Sequence, residues 1–467
     1  MIKKIQQDFS YYSHEFKDNY RKGVHRLRTI LASRAQAQAF VSNAGGTAVV
    51  LGYEPSAPDK NAQELYALLA ASPYIDDAVQ TFLGSIYEAG AESQDAMYSD
   101  SARCLEILHD PVMARAAGAG TVSAGKWIAT LAGQSCNLYR DMNAVAASDI
   151  AMTAVAASET AMEAVISGTI ALNAVAANET AMAAVAASRV AMSAIIGNST
   201  ALNAVVTSSV AMAAIIGNST ALNAVVSSST AMAAIAASQT AMAAVAASYV
   251  AVAAVYGSAT AVEAVKANET ASATLAGATS AVMGKAVAVL AGLNPDSYAD
   301  MAAVAASQTA MAAIIGNSTA LNAVVSSSTA MAAVASSQTA MAAVINSEAA
   351  RTALVSSSDA RKALKASSLA VEMSLVSSDG QYWNSAGTKT MRGLILYTKA
   401  GNTDNAFTIT KVDSTTLASN NNARNAATSG STGYKDWLEA FPNSSWVLSS
   451  ITFYAYYRTT KIKYIPC

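Results

Sequence analysis

A mainly α fold with a small C-terminal β domain is what this sequence predicts, its centre an alanine-rich rod of ten-residue repeats. Three observations lead there. From Asn143 onward an Ala-Met or Ala-Leu pair returns every ten residues, at Ala151-Met152, Ala161-Met162, Ala171-Leu172, Ala181-Met182 and on to Ala241-Met242. Apolar residues make up 53% of the 467-residue chain but aromatics only 6%, so the excess is small side chains that cannot fill one large enzyme-like core. Three of the four tryptophans fall after residue 380, where the ten-residue pattern has stopped.

The chain opens with Ile2, Ile5, Phe9, Tyr12 and Phe16, continued by Val24, Leu27 and Leu31. These spacings of mostly three and four describe one face of an amphipathic helix, with Lys3, Lys4, Lys17, Arg21 and Lys22 on the other faces. Residues 1–60 are therefore expected to be a helical segment for attachment or oligomerisation, or equally an ordinary cap for the rod. Gly45-Gly46 and 52–58 read as loops. Residues 61–142 read as a helical cap with degenerate repeats, with helix starts near Ser72-Pro73 and Asp110-Pro111.

The repeat occupies 143–378, interrupted at 277–300, where Gly284, Gly292 and Asn294-Pro295 break the register. Val or Ile follows three residues after each Met or Leu and shares its helical face. Ten residues at about 100° each fall about 80° short of three turns, so in one continuous helix the Met and Val positions would spiral instead of forming a seam. The polar residue before each unit (Ser158, Asn178, Ser188, Asn198, Ser208) looks like an N-cap, often followed by Glu, Gln or Asp in the first turn. Very short helices of about seven residues, each ended by a tight turn, are the expected form. If alternate helices run up and down, each layer holds about 20 residues, two helices packed side by side. A parallel trimeric helical bundle is the alternative, and a β-solenoid is disfavoured by the alanine content.

Residues 379–467 read as a β-rich aromatic domain, with strands at Gly393–Lys399, Ala406–Val412, Trp446–Tyr457 and Thr460–Ile465 and a short helix at Tyr434–Phe441. Trp383, Tyr434, Trp437, Trp446, Tyr454 and Tyr456 are the candidate receptor-binding residues, because aromatic faces beside Asn and Asp suit sugars. Core packing or a subunit contact is the competing role for each.

No catalytic constellation is legible, and a non-enzyme is expected. His14, His25 and His109 have no Cys or carboxylate at ligand spacing. No GxSxG elbow occurs, and AGAGTVSAGK (117–126) lacks the spacing of a phosphate loop. Cys104, Cys136 and Cys467 give neither a disulfide framework nor a metal pair. No cofactor and no metal are expected. The formal net charge of −2 offers no global positive field for nucleic acid. A polar residue interrupts every ten, which argues against membrane insertion, and the first residues lack the apolar run of a signal peptide.

The AMAAIAASQT and GNSTALNAVV decads, an N-terminal helical segment and an aromatic end closing in IKYIPC together resemble the tail fibres and receptor-binding appendages of tailed bacteriophages. The resemblance implies a virion component made in the host cytoplasm, a homotrimer, held at its N-terminus by other tail or baseplate proteins. It also implies a C-terminal tip that meets a host surface glycan or protein. A bacterial surface adhesin or another surface-binding repeat rod is the alternative.

Overall fold

The computed structural model describes residues 20–42, 72–74, 94–110, 120–376, 383–399, 407–412, 434–440, 445–457 and 461–467, with a few single positions between 68 and 118. The chain is mainly helical with a small C-terminal strand region. It divides into two compact units, Met1–Ala241 and Met242–Cys467.

In the first unit, α1 (Tyr20–Leu31) packs on α2 (Arg34–Ser42) and buries Leu27, Leu31 and Phe40. The expected attachment residues Ile2, Ile5, Phe9, Tyr12 and Phe16, and the loops at 45–46 and 52–58, lie outside the described residues. Next come α3 (Gln94–Tyr98), α4 (Ser101–His109) and α5 (Thr121–Leu131). Helices α3 and α4 pack over α5. Trp127 is fully buried there, its Nε1 donating to the Cys104 carbonyl at 3.0 Å, and Thr130 Oγ1 donates to the Tyr98 carbonyl at 2.7 Å. The buried Lys126 ammonium pairs with Asp95 of α3, which removes the cost of burying a lone charge. Asp110 acts as the expected helix start, its carboxylate accepting from the Met113 N–H at 3.1 Å.

The repeat helices follow: α6 (Met142–Ala146), α7 (Asp149–Ala157), α8 (Glu159–Ser167), α9 (Thr169–Ala176), α10 (Glu179–Ala187), α11 (Arg189–Gly197), α12 (Ser199–Thr207), α13 (Ser209–Gly217), α14 (Ser219–Val226) and α15 (Ser229–Ala237). They are eight or nine residues long from α7 onward, so the continuous bundle does not describe this chain. Ser158 shows how most of them end. It is extended (φ −100°, ψ 120°), closes α7, and caps α8 by accepting from the Ala161 N–H at 3.2 Å. One extended residue is thus both stop and start. It does not reverse the chain: adjacent helix axes meet at 93–106° in this unit.

That angle corrects the expected layer. Corners near 100° bring the chain round in three helices, not two, so α7 packs on α10, α10 on α13, and α8 on α11. A turn therefore holds three decads. A second bond made by the cap serines fixes the stacking. Ser208 Oγ donates to the Ala176 carbonyl 32 residues earlier at 2.5 Å, Ser238 Oγ to Val206 at 2.6 Å, and Ser188 Oγ to Ala156. Each hydroxyl accepts from its own helix and donates to the turn before, using the donor and acceptor that serine carries. Within the ring Ala151, Met152, Val155 and their equivalents are buried; alanine permits the close approach of successive turns while Met and Val fill the interior.

The helix α16 (Gln239–Ala247) straddles the division between the units. The second unit continues with α17 (Tyr249–Gly257), α18 (Ala259–Lys266), α19 (Glu269–Ala276) and the longer α20 (Ser280–Leu290). Then come α21 (Met301–Ala306), α22 (Gln308–Ile315), α23 (Ser318–Val325), α24 (Ser328–Ala335), α25 (Gln338–Ile345), α26 (Glu348–Ser356) and α27 (Ser358–Lys365). The three-helix turn recurs, with α21 on α24, α22 on α25 and α24 on α27. The ladder recurs with it: Ser337 Oγ donates to Ala305 and Ser357 Oγ to Val325, each at 2.7 Å.

The interruption at 277–300 proves to be ordered and to repeat an earlier stretch. GKWIATLAGQSCNLYRDM (125–142) and GKAVAVLAGLNPDSYADM (284–301) share Gly-Lys, Leu-Ala-Gly and Tyr-x-Asp-Met at the same spacing. Both helices end on a left-handed glycine, Gly133 (φ 72°) and Gly292 (φ 74°). The next N–H reaches back to the Ala129 and Ala288 carbonyls at 2.9 and 2.8 Å, a Schellman closure. A Cβ on Gly125 would overlap the Asp141 backbone carbonyl group, and one on Gly284 that of Asp300. Both aspartates then cap the first repeat helix, at 2.9 Å to Ala144 and 2.8 Å to Ala303. The chain holds two openings of one design.

The strands are β1 (Val371–Ser374), β2 (Trp383–Thr390), β3 (Gly393–Lys399), β4 (Phe407–Val412), β5 (Tyr434–Asp436), β6 (Trp446–Val447), β7 (Ser450–Tyr457) and β8 (Lys461–Pro466), with a short helix α28 (Trp437–Ala440). They form two antiparallel sheets, β1-β8-β3-β5 with β6 also on β3, and β2-β7-β4. The expected run Trp446–Tyr457 is two strands in different sheets, and the expected helix from Tyr434 starts as a strand. Strand pairing begins at Val371, ahead of residue 379. Leu375, Met391, Ile395, Trp437, Val447, Ile451, Phe453 and Ile462 form the core.

Candidate functional site

The C-terminal sheets hold the candidate residues, and the structure sorts them. Trp437 is only 3% exposed and its Nε1 donates to Thr398 Oγ1 at 3.1 Å; it is a core residue. Trp446 is 4% exposed and donates to the Arg351 carbonyl on α26 at 3.2 Å, so it seals the sheet to the last turn of helices. These two are corrections to the receptor-binding set: in a domain this small the largest apolar faces are needed inside. Trp383 pairs across from Tyr457, Tyr434 from Lys399, and Tyr454 from Ala386 and Thr408. Tyr456 lies on β7 between Ala455 and Tyr457. The side chains of these four lie outside the described residues.

What the fold does bring together is a polar row across the first sheet. The register places Glu372 on β1 opposite Lys463 on β8, Lys463 opposite Tyr397 on β3, and Tyr397 opposite Asp436 on β5. Glu372 accepts from Lys461 Nζ at 2.7 Å and from the Tyr397 hydroxyl at 3.3 Å. Lys463 Nζ stands 5.8 Å from the Tyr397 ring centroid, within cation–π range. The hydrogen bond from Lys461 to Glu372, and the charge of that carboxylate, hold the Lys461 pKa above its ordinary value. The row combines one half-exposed aromatic face with donors and acceptors of both signs, a set that recognises polar ligands. Sequence reading missed it. The signal was the alternation of Lys461, Ile462 and Lys463, which turns one face of β8 to the core and the other outward.

At one end of the row Asp436 and Glu439 both bind Lys365 of α27, each at 2.6 Å. Partial burial opposes the lysine's charge, but the hydrogen bonds it donates to the two carboxylates, and their charges, outweigh it and leave its pKa raised. Gln338 Nε2 donates to the Pro466 carbonyl at 3.1 Å, and Arg392 meets Asn346. The sheet thereby covers the last turn of helices, as a terminal cap must in a repeat array.

The cysteines are free, and burial pushes the Cys104 and Cys467 thiols up to about 12, so neither is a thiolate nucleophile near neutral pH. Among the described residues no group of three His, Cys, Asp or Glu is placed to hold a metal, and no single helix is long and apolar enough to cross a membrane. No family model and no curated protein matches the chain.

Proposed function

We propose that this protein is a non-catalytic attachment protein, a tail fibre or related appendage of a tailed bacteriophage. The repeat coil is its stand-off and the C-terminal sheets its contact with the host surface. The observation that carries this reading is the closure of each three-decad turn upon itself, with helices at one end of the chain and a polar-faced sheet at the other. Such a coil adds length without adding chemistry, about 8–10 Å per turn at ordinary helix spacing.

The coil also bears on the homotrimer that the resemblance implies. Met152, Val155, Met182 and Val185 are fully buried within one chain, so no second chain is needed to cover the repeat. Association between chains is assigned to the ends, at the segment before α1 or at the sheets.

The test is decoration and competition. An antibody against the C-terminal sheets should label the tails of intact particles and block adsorption to host cells, and the purified full chain should compete for adsorption. Labelling absent from particles, together with no competition at saturating protein, rejects the reading.

A further inference from the structure

We infer that the second unit carries a binding site for a neutral glycan on the helical coil, away from the sheets. The second opening, α20 and the segment to Met301, interrupts the ten-residue register. Beside it lies a groove of about 620 Å³, inside the range of roughly 300–1,000 Å³ typical of small-molecule sites. Its lining includes Tyr256 of α17, Val262, Glu263 and Lys266 of α18, Thr319 and Asn322 of α23, and Asp359 of α27.

The chemistry selects the ligand class. Each charge in the groove has an opposite charge beside it: Lys266 stands 3.9 Å from Glu263, and Asp359 is 3.3 Å from Lys362. The groove therefore presents no net field to draw in an anion or a cation. Its remaining polar groups are hydroxyls and an amide, which can donate and accept toward the same partner. Burial pushes the Tyr256 phenol up to about 12, so it stays a neutral ring with a hydroxyl. An aromatic and aliphatic wall facing uncharged donors and acceptors matches a sugar, whose ring face is apolar and whose rim is hydroxyl. The site is independent of the sheet face assigned to host contact.

The experiment is calorimetric titration of the full chain with a panel of neutral oligosaccharides (gluco-, manno- and N-acetylglucosamine trimers) and two anionic ones (a sialylated trisaccharide and a heparin fragment). Two variants act on the groove from its exposed wall: Asn322→Ala removes the amide, and Ser326→Trp fills the space. Circular dichroism and melting confirm that both fold. At least one neutral trimer should bind, weakened at least tenfold by either variant and unchanged in Tyr397→Ala on the sheet. The inference is overturned if no neutral trimer binds below 10 mM-scale affinity, on the order of −3 kcal/mol. It is equally overturned if only the anionic sugars bind, or if binding survives both groove variants.

Discussion

Replacing Ser208 with alanine tests the ladder that joins successive turns. The hydroxyl accepts from the Ala211 N–H at 3.2 Å and donates to the Ala176 carbonyl at 2.5 Å. Loss of the cap costs about 1 kcal/mol, and loss of a partly buried hydrogen bond that leaves a carbonyl without its donor costs about 1 kcal/mol more. Ser208→Ala should therefore destabilise by about 2 kcal/mol. Ser208→Asn restores the cap, as Asn198 and Asn218 do at neighbouring corners, and should recover roughly half of that loss. Ser227→Ala is the control, because the exposed Ser227 hydroxyl only bonds back to Asn223 of its own helix, and should change stability by less than about 0.5 kcal/mol. Urea unfolding followed by circular dichroism reads all three. Since repeat arrays need not unfold in one step, amide exchange at Ala211 should localise the change. If Ser208→Ala matches the control, or Ser208→Asn is as damaging as Ser208→Ala, the two-bond account of the corner is wrong.

Gly125→Ala and Gly284→Ala should each destabilise by about 1–3 kcal/mol through overlap with backbone that cannot move aside, whereas Gly197→Ala, with no atom within 4 Å of the new Cβ, should be neutral or gain up to about 1 kcal/mol; thermal melts separate the two outcomes. Duplicating three consecutive decads should add one turn and preserve stability, while duplicating one decad should shift every later helix by a side and weaken the fold, checked by melting and by small-angle scattering. Lys365 has a raised pKa in the folded chain, so the stability it adds is fully present below the ordinary lysine value near 10.4 and is lost as pH rises through the folded value. Amide exchange of α28 should accelerate over that alkaline range, and Lys365→Met should remove the dependence.

The ten-residue period, the serine and asparagine caps and the strand Gly393–Lys399 were legible because each rests on local chemistry within a few residues. The number of helices per turn was not. It depends on the angle at one extended residue and on a bond spanning 32 positions, and an N-cap reads the same in the sequence whether two or three helices close the ring. The second opening at Gly284–Met301 was legible in principle. Its Gly-Lys, Leu-Ala-Gly and Tyr-x-Asp-Met mark the same positions as in 125–142, but the glycines and proline suggested a break. The burial of Trp446 was not legible, because alternation names two faces of a strand without saying which one is covered; that of Trp437 was not, because four helical residues are too short a segment to show an apolar stripe. The row from Glu372 to Asp436 joins four strands and exists only once they are in register.

The two openings solve a problem that near-identical units create. GNSTALNAVV stands unchanged at 197–206, 217–226 and 316–325, so a growing coil could thread one unit early or late and lose few contacts. A glycine seated beneath an aspartate peptide cannot be exchanged for any decad. Gly125 against Asp141 and Gly284 against Asp300 act as two fixed datum marks that tell otherwise interchangeable units where to begin counting, one for each array of decads.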